Sequence, residues 1–321
     1  MSLVMVPTAL SVHAPASAAA SDPLQLTASW SASKIVSGNR AKVAGSVRPA
    51  AAMKRVLLQR RMPDGWVTVD SVDPAASTYA LRIPTGWYSN LAYRVKAVGV
   101  SGTRSVYSPT RNIRVVPSYD PRGAARTYTL ADKPVARWNP CEPIGYRVNA
   151  RQARAGALKD VKGALRRVSQ ATGLTFRYRG STRIIAGPNS RYPENTDLVV
   201  AWAKPSQSPV LVAGGGPMGI GGATWGYGFS NADGSPASKI QSGFVVIDAN
   251  QQRRTPSGFG KGQTRGELLM HELGHAVGLQ HVNDRRQLMN PLMQPARARW
   301  GAGDLTGLRK LGAGRGCLSK A

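Results

Sequence analysis

Residues 264–281 read TRGELLMHELGHAVGLQH, and this stretch predicts a capped helix that ends in a turn. Thr264, followed three residues later by Glu267, is a capping-box pair, and an apolar run comes directly after it. Gly278 is able to take the left-handed conformation that ends a helix and reverses the chain. We therefore expect the chain to return toward the helix by residue 281.

Three histidines occupy this helix and the turn after it. His271 and His275 are four residues apart, so they lie on one helical face about 6 Å apart along the axis. The turn is expected to bring His281 to the same point as a third imidazole. Three protein ligands and an open fourth position are the usual arrangement of a catalytic zinc ion. The spacing therefore predicts one zinc ion held by these side chains.

Glu272 is the predicted catalytic base. It is rotated by about 100° from His271 on the helix, so it lies beside the metal without having to ligate it. Zinc lowers the pKa of a bound water from 15.7 toward about 7, and a nearby carboxylate accepts its proton and returns it to the leaving amine. The alternative is that these histidines are ordinary side chains of the helix surface or core. The fourth histidine, His13, lies in a segment expected to be removed, so every histidine of the mature chain belongs to this motif.

The segment HELGHAVGLQH resembles the HExxHxxGxxH signature of the metzincin zinc peptidases. The short sequence spacing from His281 to Met289 and Pro291, in QLMNPLM, is similar to that of the matrixin branch. The resemblance implies that Met289 forms the Met-turn, a hydrophobic floor under the metal, and that Pro291 helps to shape a substrate pocket. Met293 is the competing candidate, and an ordinary core methionine is the alternative for Met289.

The chain departs from the matrixin pattern in two ways. Val282 stands where matrixins usually have serine, and no further histidines remain for a second, structural zinc. We therefore predict one zinc ion. The resemblance also leaves room for Ca²⁺, although the chain has 16 acidic residues and no Asp-rich loop.

In metzincins an edge strand of the sheet pairs with an extended substrate, which runs antiparallel to it. The best candidate for that strand is GGATWGYG, with Ala223, Thr224 and Trp225 as substrate-binding residues. Glycines on both sides would allow close approach of the backbone. The alternative is a surface loop in which Trp225 anchors the core.

The chain divides into two predicted domains, so the fold class is multidomain. Residues 24–116 alternate apolar and polar residues between turn signals, which predicts an antiparallel β-sandwich resembling immunoglobulin-like modules. Residues 117–126 have the Pro, Gly and charge content of a linker. Residues 127–321 mix strands and helices and form the predicted α+β metzincin (zincin-like) catalytic domain. The predicted strands of the first domain are KVAGSV, RVLLQRR, WVTVDSV, TYALRIP, LAYRVKAV and NIRVVP.

In the second domain, apolar residues three and four apart over 158–168 predict an amphipathic helix. A short helix is expected to begin at Asp304 as its cap. The predicted strands are IGYRVN, LTFRYRG, DLVVAWA and GFVVIDA.

The N-terminal segment and the cysteine usage both favour export. Residues 1–20 combine an apolar run with Ala-x-Ala sites ending at Ala18 and Ala20, which predicts a signal peptide. No Lys or Arg precedes Lys34, so an Ala-rich tail is the alternative. Cys141 and Cys317 are the only cysteines, and such a pair in a secreted chain predicts a disulfide, with buried free thiols as the alternative.

The formal charge of +27 suggests adhesion to anionic cell-wall or matrix surfaces. The basic residues are spread along the chain without a nucleic-acid motif, so no specific nucleic-acid partner is predicted. No apolar stretch approaches the roughly 20 residues of a transmembrane helix. The sequence thus predicts a secreted zinc-dependent endopeptidase acting on proteins or peptides. The alternative function is a non-catalytic extracellular protein that binds anionic surfaces.

Overall fold

The computed structural model of the chain describes residues 23–73 and 77–321. The predicted signal peptide, residues 1–20, lies outside the described residues.

The first part of the described chain contains only strands and one 3-10 turn. Each of the six segments with alternating polarity predicts a strand, and each prediction is confirmed. The strands are β1 Gln25–Leu26, β2 Ser29–Trp30, β3 Lys34–Val36, β4 Lys42–Arg48, β5 Met53–Met62, β6 Gly65–Val72, β7 Thr78–Arg82, β8 Ser89–Gly99, β9 Val106–Tyr107 and β10 Arg111–Val116.

These strands form two sheets. One has the order β1-β4-β2 with β7 on β4, and the other has the order β3-β10-β8-β5-β6 with β9 on β8. Strand β10 pairs in parallel with β3, and the neighbouring pairs are antiparallel. Val43, Val56 and Val95, from both sheets, are fully buried in a common core. An all-β first region is thus present, while its immunoglobulin-like character stays a prediction.

The second part of the described chain is a mixture of helices and strands. Its helices are α1 Ala157–Thr172, α2 Arg265–Ala276 and α3 Ala302–Leu311. Its strands are β11 Thr129–Leu130, β12 Ala136–Arg137, β13 Ile144–Asn149, β14 Phe176–Ser181, β15 Leu198–Ala203, β16 Gly219–Ser230, β17 Pro236–Asp248, β18 Leu279–Gln280 and β19 Ser319–Lys320.

A seven-stranded sheet organises this part, in the order β14-β13-β15-β17-β16-β19 with β12 on β17. The pairs from β14 to β17 are parallel, whereas β16 runs antiparallel to β17. Every residue of β15 is buried, which explains its continuous apolar sequence. Strand β19 pairs with β16 only at Phe229 and Ser230. The segment of β16 before them is therefore the free edge of the sheet.

Helix α2 begins where the capping box predicts. Thr264 is its N-cap, and the Thr264 hydroxyl accepts the Glu267 N–H at 3.2 Å. The predicted cap of α3 is wrong by three residues, because Gly301 is the N-cap and Asp304 lies within the first turn. The Asp304 carboxylate instead accepts the N–H of Gly301 at 2.8 Å.

A buried ion pair joins α2 to α1. The Arg265 guanidinium lies 2.7 Å from the Asp160 carboxylate, and both side chains are almost fully buried. Arg265 also donates to the carbonyl groups of Arg154 and Ala155, so its remaining N–H groups have partners. Separating the two side chains would leave a buried charge uncompensated. The ion pair therefore holds the N-terminal end of α2 against α1.

The disulfide predicted from the two cysteines is present. Cys141 and Cys317 are bonded, with their Cα atoms 5.5 Å apart and a separation of 176 positions in sequence. The backbone N–H of Cys317 also donates to Asp64 of the β5–β6 turn, and Tyr88 N–H donates to the Gln170 carbonyl at 2.7 Å. The first region therefore contacts the second at more than one point.

Candidate metal centre and cleft

Helix α2 presents His271 and His275 on one face, one turn apart. Their side chains are held by the backbone that follows the helix. His271 Nδ1 lies 2.9 Å from the Leu288 carbonyl oxygen, and His275 Nδ1 lies 2.9 Å from that of Leu279. Because a carbonyl only accepts, each Nδ1 carries the proton and each Nε2 presents a lone pair.

Gly278 turns the chain back as predicted. Its φ of 106° is one that other residues rarely adopt, and a Cβ there would lie 2.7 Å from the Ala136 carbonyl oxygen. The chain then forms β18, which pairs with β11 and leads directly to His281. The structure thus brings the three predicted ligands together.

The three imidazoles converge on one point through their Nε2 atoms. His281 Nε2 lies 3.0 Å from His271 Nε2 and 3.1 Å from His275 Nε2. One proton on His281 cannot satisfy two acceptors, so hydrogen bonding alone does not account for the cluster. Tetrahedral zinc with bonds of about 2.0–2.1 Å separates its ligand atoms by about 3.3 Å. The donor set and its spacing therefore fit a zinc ion.

Burial keeps these histidines neutral. It lowers the pKa of His271 to about 4, and burial together with the neighbouring His271 lowers the pKa of His275 to about 3. The pKa of the more exposed His281 is also lowered by burial. A metal ligand must be deprotonated, so the cluster is ready to bind a cation at neutral pH. Within residues 23–73 and 77–321 this is the one group of three or more His, Cys, Asp or Glu side chains that could hold a metal ion. The Ca²⁺ that the resemblance allows is not supported by a second such group.

Glu272 is buried at the cleft, with 5% of its surface exposed. The edge strand β16 lies directly on it: a Cβ on Gly219 would meet its Oε1 at 3.2 Å, and one on Gly221 would lie 2.0 Å from its backbone carbonyl oxygen. Burial raises the pKa of Glu272 to about 8, opposed by a hydrogen bond from Gly221. The two glycines therefore serve the contact between strand and helix, a role that the sequence reasoning did not assign to them.

Met289 is buried against helix α2 at Gly274. It is 1% exposed, and a Cβ on Gly274 would come 2.4 Å from its sulfur. The Met289 carbonyl accepts the Val282 N–H at 3.1 Å, which ties the methionine to the residue after His281. Met293, the competing candidate, lines the cleft instead.

A buried carboxylate that the sequence reasoning missed supports this turn. Asp304 accepts the N–H groups of Leu288 at 2.6 Å and Met289 at 3.3 Å, in addition to that of Gly301. Leu288 is the residue whose carbonyl holds His271. Only the position of Asp304 at the start of a helix was visible in the sequence, because its partners come from a distant loop.

The metal cluster opens on a cleft of about 940 Å³. Ala223, Trp225 and Pro291 line it, and their role in substrate binding stays a prediction. Thr224 does not, because its hydroxyl lies 2.6 Å from that of Ser242 on the neighbouring strand. Trp225 also donates to Asp132 at 2.6 Å and packs against the core, so it is both a lining residue and an anchor.

A family model described as matrixin matches residues 226–311. This segment contains His271, Glu272, His275, His281 and Met289. The match supports a matrixin-like metallopeptidase, and this family implies zinc and protein or peptide substrates. No curated protein matches the chain.

Among solved structures, the chain is similar to one described as "Structural basis of T cell specificity and activation by the bacterial superantigen toxic shock syndrome toxin-1". The identity is 12%, with 29% of this chain and all of that chain covered, and the TM-score is 0.24. A likeness this weak carries no argument about function.

In the described residues no helix is long and apolar enough to cross a membrane.

Proposed function

We propose that the chain is a secreted zinc-dependent endopeptidase, with His271, His275 and His281 as zinc ligands and Glu272 as the catalytic base. One observation carries the proposal: three imidazole nitrogens converge beside a buried carboxylate, in a cleft bordered by a free strand edge. Bound zinc would supply a Lewis acid that polarises the scissile carbonyl and makes water acidic enough to lose a proton near neutral pH.

The protein's own residues provide the proton transfers and the positioning. Burial alone favours protonated Glu272, and the charge of a zinc ion bound beside it would favour the ionised form. Ionised Glu272 accepts a proton from the attacking water and later gives that proton to the leaving amine, so it ends the cycle as it began. The hydrogen bonds from the Nδ1–H groups of His271 and His275 hold their rings in the ligating tautomer. The free edge of β16 offers backbone groups that pair with an extended substrate beside Ala223 and Trp225.

We assign the domains as the sequence predicts them. Residues 127–321 form the catalytic domain, residues 24–116 an immunoglobulin-like module that spaces or targets it, and residues 117–126 the linker. The disulfide agrees with an oxidising, extracellular location. Mature protein recovered from the medium is expected to begin after Ala18 or Ala20. An uncleaved chain retained in the cell would contradict the export proposal.

The central experiment measures cleavage of casein or gelatin and the zinc content together. The parent protein is expected to bind one zinc ion per chain and to cleave. Glu272→Ala is expected to keep zinc and fold but lose cleavage, and a chelator is expected to abolish cleavage reversibly. A parent that holds zinc without cleaving any protein would contradict the enzyme and favour the binding protein as the alternative.

A further inference from the structure

The charged side chains that line the cleft are of one sign, apart from the proposed base. Arg254 and Arg285 both line it and are exposed, whereas Glu272 is buried and is its one acidic lining residue. A substrate entering this cleft therefore meets positive charge at the surface.

Neither guanidinium has an acidic partner within residues 23–73 and 77–321. Among the described residues, Arg254 donates only to the neutral Gln251 side chain at 3.2 Å, and Arg285 makes no side-chain hydrogen bond or ion pair. Their sequence neighbours differ: Arg286 is paired with Asp284 at 3.0 Å, and Arg253 does not line the cleft. No acidic group in the described part of the chain therefore offsets the charge of the two cleft arginines.

The position of Arg254 tells which part of a substrate it would meet. Gln251, one turn before it, donates to the Gly216 carbonyl at 2.9 Å, so Arg254 lies at the end of the cleft that precedes Gly219. Glu272 packs against Gly219. A substrate antiparallel to β16 would place the residues that follow its scissile bond at this end.

Arg285 lies where the cleft meets a second pocket of about 400 Å³. The two share Arg285, Gln294 and Pro295. The second pocket has two acidic lining residues, Asp120 and the buried Glu267, whereas its basic lining residues are Arg122, Lys261, Arg285, Arg286, Arg297 and Arg299. The positive field therefore continues beyond the wall of the cleft.

We propose that the preferred substrates are proteins or peptides with Asp or Glu on the C-terminal side of the cleaved bond, that Arg254 determines this preference, and that Arg285 strengthens it by adding to the positive charge of the cleft. The inference rests on the proposed peptidase function. Both arginines are exposed, so each charge pair is expected to change affinity by about 1.5- to fivefold at low salt. The preference should weaken as salt screens the charges.

The test measures binding separately from cleavage. Zinc-loaded Glu272→Ala protein is titrated with fluorescent decapeptides that are identical except for Glu, Gln or Lys in their C-terminal halves. The Glu series is expected to bind tightest and the Lys series weakest. Arg254→Glu and Arg285→Glu should each reduce or reverse this order, whereas Arg253→Glu, with the same charge change outside the cleft, should keep it.

Equal binding of the three series, or no binding of any, would overturn the inference. So would an equal effect of Arg253→Glu and Arg254→Glu, because the preference would then follow net charge alone. The parent is also incubated with a peptide library, and acidic residues are expected after the cleaved bonds. A parent that binds acidic peptides in the predicted order but cleaves nothing would contradict the peptidase proposal and leave the binding preference standing.

Discussion

At the scale of single residues, the metal centre depends on buried carboxyl groups that do not touch the metal. Asp304 acts on His271 through Leu288, whose N–H it accepts at 2.6 Å and whose carbonyl lies 2.9 Å from the imidazole. Glu267 acts on the wall of the cleft, because its Oε1 accepts the Gln294 N–H at 2.7 Å. Asp304 therefore holds the loop that positions His271, and Glu267 holds the loop that carries the cleft residue Gln294.

Asp304→Asn is expected to weaken both fold and zinc binding. Three backbone N–H groups point at two carboxylate oxygens, and an asparagine offers one oxygen and an opposing donor. Loss of these bonds should lower the free energy of unfolding by about 1–3 kcal/mol. The freed Leu288 carbonyl should reduce zinc affinity about 10- to 100-fold, measured by competition with a chromogenic chelator. Unchanged zinc affinity would show that Leu288 is held without Asp304.

Glu267→Gln is expected to raise stability more at pH 8 than at pH 5. Burial raises the pKa of Glu267 to about 7 from 4.5, so the stability that its proton contributes is present below pH 4.5 and is lost as the pH rises through about 7. Glutamine keeps the acceptor for Gln294, and Oε2 has no partner to lose. The gain should reach about 1–3 kcal/mol at pH 8, measured by urea unfolding of zinc-free protein.

A matched control for this prediction is Glu142→Gln. The pKa of Glu142 is lowered, because the hydrogen bonds from Lys239 and Asn139 outweigh the effect of burial. Its substitution should therefore shift the pH dependence in the opposite direction. The same pH dependence in both variants would contradict the role assigned to the burial of Glu267.

At the scale of secondary structure elements, the site is built where the free edge strand crosses the metal-binding helix. Gly219 and Gly221 of β16 allow the strand backbone to rest on α2 at Glu272. The ion pair of Arg265 with Asp160 fixes the other side of α2 against α1. The position of Glu272 relative to the free edge of β16 therefore depends on the packing of β16, α2 and α1.

Gly221→Ala is expected to separate β16 from α2. The added Cβ would lie 2.0 Å from the Glu272 carbonyl oxygen and 2.8 Å from its Cα, which are backbone atoms that cannot rotate away. The cost should be about 1–3 kcal/mol or more of unfolding free energy, with loss of peptidase activity. Thermal unfolding and peptide cleavage measure the two effects.

Gly260→Ala is the control, because a Cβ there meets no atom within 4 Å. It should leave both stability and activity near those of the parent. If Gly221→Ala behaved in the same way, the strand would have room to move, and the close contact would not position Glu272.

At the scale of the whole molecule, one covalent link closes the second region. The Cys141–Cys317 disulfide joins the start of that region to the chain's C-terminal end, near the contact of Cys317 with Asp64. The charge of +27 is spread over both regions. Adhesion to anionic cell-wall or matrix surfaces stays a prediction that a salt-dependent pull-down on such polymers would test.

Replacement of both cysteines by serine is expected to lower stability by about 2–5 kcal/mol, since the two cysteines are 176 positions apart in sequence and the unfolded chain loses its cross-link. Urea unfolding with and without reductant measures the effect. Reductant should lower the stability of the parent and leave that of the double variant unchanged. Equal stability of parent and variant would show that the link contributes nothing to the fold.

Much of the local structure could be predicted from the sequence. The capping pair Thr264 and Glu267 marked the start of α2, and Gly278 marked the turn after it. Alternating polarity located the strands, because a half-buried strand requires it. The predicted N-cap of α3 was wrong, because an aspartate is favoured both at the N-cap and at the third residue of a helix, and the sequence does not distinguish the two positions.

The sequence by itself determined which residues carry the metal chemistry, because helical spacing and a glycine turn bring the three histidines to one side within eleven residues. Only the tertiary structure decided what surrounds them: the glycines that contact Glu272, the hydrogen bond from Leu288 to Asp304, the contact of Thr224 with Ser242, and two cleft arginines without an acidic partner among the described residues. These contacts join residues far apart in the chain, and no local pattern records which distant backbone group will lie opposite a given side chain.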